Sequence, residues 1–451
     1  MTLQKHLPIY IVIIISFASC YSPFQQDTLH DPGYDDGGKL KNVTIKQSNN
    51  VLGLNRLDDS NAAETVSVDC FGAKGDGSTD DSEAFEKAWE AACSSDGAVL
   101  VVPANKNYLL KPIRLSGPCK SDLTVQISGT LIASNDRSDY SKDSKYWLVF
   151  EDVQDLLVEG AGTIDGNGKI WWENSCKINK NHALTFQKSQ NLTVRNLKIQ
   201  NAQQMHVTFH GCTGVQVSGL KVTAPGDSPN TDGIHVTHTE DIQISSCNIG
   251  TGDDCISIVS GSKNVQASDI TCGPGHGISI GSLGAGKSTA YVSGVTVNGA
   301  KLSGTTNGVR IKTWQGGSGN ASNIKFLNIE MNNVTNPIII DQNYCDKDEP
   351  CKQERSAVQI EDVVYQNITG TSASDVAVKL DCSKSYPCQR IVMQNVKLQK
   401  EGGEAVKVER NNVNVTDLGI ITGNHQPEMS RAGLKSYLQI LFIIGPLFLL
   451  F

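Results

Sequence analysis

From about Val99 to Leu418 apolar and polar residues alternate in short Val/Ile/Leu runs cut by Gly and Asn, with no sustained helical period. One pattern recurs as Asn191-Leu-Thr-Val-Arg-Asn-Leu-Lys-Ile, Gly214-Val-Gln-Val-Ser-Gly-Leu-Lys-Val, Asp241-Ile-Gln-Ile-Ser-Ser-Cys-Asn-Ile, Asn264-Val-Gln-Ala-Ser-Asp-Ile-Thr-Cys and Asn323-Ile-Lys-Phe-Leu-Asn-Ile-Glu-Met. The starts lie 23, 27, 23 and 59 residues apart, the last gap wide enough for two coils. A second series falls between them: Asp232-Gly-Ile-His-Val, Asp254-Cys-Ile-Ser-Ile, His276-Gly-Ile-Ser-Ile and Asn307-Gly-Val-Arg-Ile. Two interleaved strand series, each returning about once per coil, describe a solenoid. A β-sandwich has turn signals every 8–12 residues but no reason to repeat one pattern at coil length. The prediction is therefore an all-β chain folded as a right-handed parallel β-helix, its coils stacked about 4.8 Å apart. Ile234, Ile256, Ile278 and Val309 then form one inward ladder, with Val236, Ile258, Ile280 and Ile311 beside it.

The helical period occurs in one place. Over Asp80–Cys93, Phe85, Ala88, Trp89 and Ala92 share a face, and the Ser, Thr and Asp residues ahead of them can cap a short helix. An open solenoid end exposes unpaired backbone groups, so this helix is the candidate N-terminal cap. Residues 21–65 are polar and aperiodic and read as a linker or pro-segment without fixed structure, which leaves 66–420 as the β-helix. Residues 1–20 have the layout of a secretory signal peptide: Lys5 and His6, the apolar run Pro8–Phe17, then small residues to Cys20. At the other end, in 421–451, Tyr437–Phe451 is apolar but short of the roughly 20 residues a spanning helix needs. A removed lipid-anchor signal, a membrane-resident tail and an uninformative apolar end all stay open, and with them attachment to the outer face of the plasma membrane.

Composition narrows the partners. The 451 residues carry a net charge of −8 and no run of Lys/Arg, so nucleic acid is a poor partner. Without Cys20 twelve cysteines remain, an even number that suits an oxidising compartment. Close spacing suggests Cys255–Cys272, Cys345–Cys351 and Cys382–Cys388 bridges, while Cys70, Cys93, Cys119, Cys176, Cys212 and Cys247 cannot be paired from sequence. No CxxC occurs, so no metal ligation is expected. Sequons at Asn42, Asn191, Asn320, Asn333, Asn367 and Asn414 agree with secretion.

Stacking turns spacing into distance. Asp232, Asp254 and His276 follow one another at 22-residue intervals at the same repeat position, Asp253 adjoins Asp254, and Arg310 and Lys312 leave the next coil pointing outward. Strict alternation would bury both acids among the isoleucines, which no dry core tolerates, so the chain is expected to bend just before these strands. Taken singly, Asp-Gly and Asp-Asp pairs mark turns, His276 suits a loop and the cations suit a surface; independent turns have no reason to align Asp232, Asp254 and His276 on the same repeat position. His235, Ser257 and Ser279 read as plain outward-facing residues. Clustered carboxylates repel, so one keeps its proton while its neighbours ionise, the acid and base that glycosidic cleavage needs. Carboxyls one or two coils apart would be roughly 5–10 Å apart, overlapping the roughly 6.5–9.5 Å of inverting enzymes. The adjacent cations suit a sugar that carries a carboxylate.

Asn230-Thr-Asp232-Gly, Gly252-Asp253-Asp254-Cys255, Gly275-His276-Gly277 and Arg310-Ile-Lys312 resemble, in order and spacing, the four signature segments of the polygalacturonases, glycoside hydrolase family 28. Ser228-Pro-Asn-Thr-Asp-Gly-Ile-His235 and Tyr344-Cys345-Asp346 are similar to plant members, and the resemblance covers about residues 66–420. It implies a right-handed parallel β-helix that hydrolyses α-1,4-galacturonosyl links of pectin with inversion and without a cofactor. Asp253 would be the general acid, Asp232 and Asp254 would hold and activate the water, and His276 would support the acid's protonation. Arg310 and Lys312 would bind the galacturonate carboxylate, with Asn230 and Tyr344 as lesser contacts. The expected partner is polygalacturonate, met outside the cell by a monomer. Rhamnogalacturonan hydrolases lack the Gly-His-Gly segment, which favours homogalacturonan. A Ca²⁺-dependent pectate lyase and a non-catalytic wall-binding protein are the alternatives, and the apolar C-terminal tail departs from an ordinary secreted member.

Overall fold

The structure is a computed structural model that describes residues 21–23, 63–140, 145–173, 182–345 and 352–422. The signal peptide, most of the linker and the apolar tail lie outside the described residues. The alternating runs form a right-handed parallel β-helix. One wall is an 11-stranded sheet running from Ile113–Ser116 to Lys407–Asn411, every neighbouring pair parallel. Four strands in its middle carry the second repeat series: β1 (Ile234–Thr237), β2 (Ile256–Ile258), β3 (Ile278–Leu283) and β4 (Asn307–Trp314). Ile234 pairs with Ile256, Ile256 with Ile278 and Ile278 with Val309, as the expected ladder requires. All eight ladder residues are fully buried, and each contributes roughly 1.5–3 kcal/mol by leaving water. Phe150, Phe186 and Phe209 continue the stack toward the N-terminus as near-parallel rings 5.3 and 5.4 Å apart.

The first repeat series forms the strands Gln190–Arg195, Thr213–Ser218, Glu240–Ser245 and Ser262–Ser268, again in parallel register. The 59-residue gap before Asn323 contains the missing copy, Thr289–Asn298, where Val295 pairs with Val265 and then with Ile324. At the turn of each coil the backbone is left-handed, and the repeat supplies Asn or Asp there: φ is 52° at Asn191, 56° at Asp241, 54° at Asn264 and 54° at Asn323. The side chains then reach across coils, as Asn264 donates to Asp241 at 2.8 Å.

Helix α1 (Ser82–Cys93) buries Ala84, Phe85, Ala88, Trp89 and Ala92 on the first coils and caps the N-terminal end. Trp89 meets Phe150 edge-on at 5.5 Å and donates from its indole nitrogen to the Ser116 carbonyl at 3.0 Å. The Cys93–Cys119 disulfide fastens the helix C-terminus. The expected side-chain cap takes a different form. Asp81 accepts instead from the backbone N–H groups of Lys74 and Gly75, and Asp80 accepts from the Ser82 N–H at 3.1 Å. The polar segment is not wholly without structure, since Tyr21–Pro23 pairs antiparallel with Glu64–Ser67. Cys255–Cys272 and Cys382–Cys388 are bridged. Cys351 lies outside the described residues, and Cys212 and Cys247 are buried free thiols.

Candidate active site

The site forms where three consecutive turns stack ahead of β1, β2 and β3. Backbone bonds set them in register: Gly233 N–H donates to the Asp254 carbonyl at 2.9 Å, Cys255 to Gly277 at 2.7 Å and His276 to Asp253 at 2.8 Å. Thr231 is buried beneath them; its hydroxyl lies 2.7 Å from Ser228 Oγ and accepts from the Gly252 N–H at 3.0 Å. Gly252 leaves no room for a side chain, because a Cβ would stand 1.9 Å from the Ser228 carbonyl oxygen. This tight stacking produces the expected bend. Asp232 and Asp254, two residues before their inward isoleucines, bond to Ser257 and Ser279, which alternate with those isoleucines and so face outward.

Six of the eight predicted site residues meet in one hydrogen-bonded cluster, with Asp232 close enough to feel the charges of Asp253 and Asp254. Asp254 accepts from Ser279 at 2.7 Å and Arg310 at 2.9 Å through Oδ1, and from Lys312 at 3.3 Å through Oδ2. Asp253 accepts at Oδ1 from the Asp254 N–H at 2.8 Å, lies 2.9 Å from His276 Nδ1, and accepts at Oδ2 from Asn230 Nδ2 at 3.1 Å. Asp232 accepts from Ser257 at 2.6 Å. The eighth, Tyr344, lies over Lys312, its ring centre 5.4 Å from Nζ, and meets Trp314 edge-on at 5.2 Å. His276 is the group most open to solvent, with its side chain 40% exposed; Asp253 follows at 15% and Asp254 at 3%.

Surroundings divide the three acids. Burial, then the charges of Asp253 and Asp254, push the Asp232 carboxyl well above the ordinary range. Burial acts on Asp253 in the same sense, but the hydrogen bond and charge of His276, with Lys312 and the Asp254 N–H, outweigh it and hold this carboxyl low. The proton of the free cluster therefore belongs on Asp232 rather than on Asp253. Asp253, Asp254 and His276 present atoms within 4.8 Å of one another, a spacing open to a cation. Arg310 and Lys312 already occupy Asp254 with positive charge, which opposes one.

Alternation along the strands missed three supporting residues. Ser257 and Ser279 are carboxylate donors rather than plain outward residues, and His235 stands 2.8 Å from Ser257 Oγ. Buried His206 clamps Asp232 from below, donating from its backbone N–H at 2.8 Å and contacting the same carbonyl through Nδ1 at 2.9 Å. The serines share the outward row with Arg310, and that register was the available signal.

The chain is 63% identical over 369 residues to a polygalacturonase of Malus domestica, covering 80% of this chain and 79% of that one. It is 53% identical over 440 residues to polygalacturonase-2 of Solanum lycopersicum, covering 94% and 96%. Among solved structures, a polygalacturonase from Erwinia carotovora superposes with a TM-score of 0.64 at 26% identity, over 75% of this chain and 94% of that one. An exopolygalacturonase from Thermotoga maritima shares the fold with a TM-score of 0.69 at 20% identity, over 81% and 93%. Residues 93–418 match the family described as glycosyl hydrolases family 28, and the chain belongs to that family.

Proposed function

We propose that the protein is a polygalacturonase that hydrolyses α-1,4-galacturonosyl links of homogalacturonan outside the cell. The observation that carries this reading is the juxtaposition of Asp232, Asp253 and Asp254 with Arg310 and Lys312 on one outward wall. Two cations beside an acid cluster fit a substrate whose sugars each bear a carboxylate. Asp253, more open than Asp254 and next to His276, is the general acid. Asp253 delivers a proton to the glycosidic oxygen as that bond breaks, with His276 Nδ1 2.9 Å away to support its protonation. Asp232 and Asp254 hold the water that attacks the opposite face. Arg310 and Lys312 leave part of their hold on Asp254 to take the sugar carboxylate, with Asn230 fixing the acid and Tyr344 flanking Lys312.

The test is incubation with de-esterified polygalacturonate in chelator, following reducing ends, ultraviolet absorbance and the anomer released. New reducing ends without new ultraviolet absorbance, first appearing as the inverted anomer, are expected. Absorbing products that vanish with chelator would instead mean elimination, and an inert substrate would mean a wall-binding protein. Export through residues 1–20 completes the proposal, and immunodetection of the protein in wall extracts tests it.

A further inference from the structure

His235, Ser257, Ser279 and Arg310 lie in direct register on β1, β2, β3 and β4. Each serine stands between one carboxylate and one nitrogen. Ser279 Oγ is 2.7 Å from Asp254 and 3.0 Å from Arg310 Nε; Ser257 Oγ is 2.6 Å from Asp232 and 2.8 Å from His235 Nδ1. The two arrangements match except for one property. A guanidinium nitrogen can only donate, so Ser279 must accept from Arg310 and donate to Asp254. A neutral imidazole nitrogen can donate or accept, so the Ser257 hydroxyl can point either way.

We infer that Ser257 and His235 form a reversible hydrogen-bond chain that makes Asp232 the acceptor of the attacking water's proton, while Ser279 and Arg310 hold Asp254 as an acceptor only. Before the step, ionised Asp232 accepts from Ser257, which accepts from His235 Nδ1–H. As the water oxygen bonds to the anomeric carbon, its proton passes to Asp232 and the leaving oxygen takes the proton of Asp253. Protonated Asp232 can then donate to Ser257, and Ser257 to a bare Nδ1. His235 changes tautomer by exchange with solvent, with no net change in charge.

Burial keeps His235 neutral, as the chain requires: it is pushed down to about 4 by desolvation first, then by His210 and Lys312. The groups facing the chain are His182, whose ring lies 6.4 Å from His235, together with His210, Lys312, Asp253 and Asp254, and His206 at the Asp232 backbone. His235 and Ser257 are positioning residues, and this assignment rests on the hydrolase reading above.

The experiment is the pH profile of kcat/KM on polygalacturonate for the wild type and four variants, each checked by thermal melting. His235→Arg installs a donor-only partner like Arg310 and should move the acid limb down by about one unit, with kcat at least about tenfold lower. His235→Gln, whose amide can donate or accept, should keep the wild-type limb. In the His235→Arg/Ser257→Ala double variant the shift should shrink by half or more. Ser257→Ala alone removes one oxygen and should lower kcat about tenfold at an unchanged KM. A Gln limb displaced as far as the Arg limb, a full shift without Ser257, or an unchanged Ser257→Ala kcat would each overturn the chain. Failure of the wild type to cleave polygalacturonate would instead strike the hydrolase reading.

Discussion

At the scale of single residues, the three carboxylates differ in the group that stands beside each. Asp253 has His276, Asp254 has Arg310 and Lys312, and Asp232 has a hydroxyl. Asp253→Asn should lower kcat by about a thousandfold or more while leaving the binding of oligogalacturonate nearly intact, measured by steady-state kinetics alongside calorimetry. Turnover near the parental rate would refute the acid assignment. Lys312→Ala should act mainly on KM, raising it about tenfold, because Arg310 still neutralises Asp254. The working range follows from the same groups. Activity should rise with pH as the raised Asp232 carboxyl ionises and fall where the general acid no longer holds a proton, giving a maximum at mildly acidic pH. A maximum well above neutrality would contradict it. The signature residues were legible in the sequence because 22-residue spacing survives into three dimensions. Ser257 and His206 were not, since period-two alternation reports which way a side chain faces and says nothing of a turn that swings an aspartate into the same row.

Elements place those residues by stacking, and their legibility tracked the regularity of the coil. The Ile234–Ile256–Ile278 ladder was evident at constant spacing. Thr289–Asn298 was missed because the loop after Leu283 lengthens that coil, setting Val295 thirty residues after its partner Val265 and breaking the period. Gly252→Ala tests the stacked turns. Its methyl would stand 1.9 Å from the Ser228 carbonyl, so the turn bearing Asp253 must shift, and kcat should fall at least tenfold with only a modest change in melting temperature. A variant as active as its parent would show that the turn has slack. The cap is a separate test. Trp89→Ala removes the ring against Phe150 and the bond to Ser116, which should cost about 3–5 kcal/mol in denaturant titration while leaving KM unchanged.

For the whole molecule, two buried histidines beneath and beside the carboxylates make stability depend on pH. His206 and His235 are both pushed down to about 4 by burial, against an ordinary value of 6.5. Their folded state binds fewer protons than the unfolded chain, so stability is complete above 6.5 and declines as pH falls toward 4, by about 3 kcal/mol for each residue. Urea titration at pH 7 and pH 4 should show His206→Asn losing less than the wild type across that window; equal losses would mean that His206 is not held neutral. One further consequence comes from the peptide bond between Asp253 and Asp254 and the rigid coil that carries them. No hinge separates these two carboxylates, so a motion of one coil against another cannot part them. For the hydrolase proposed above, methyl esters on the polymer would then act as a brake, because only the bare uronic acid offers a charge to Arg310 and Lys312.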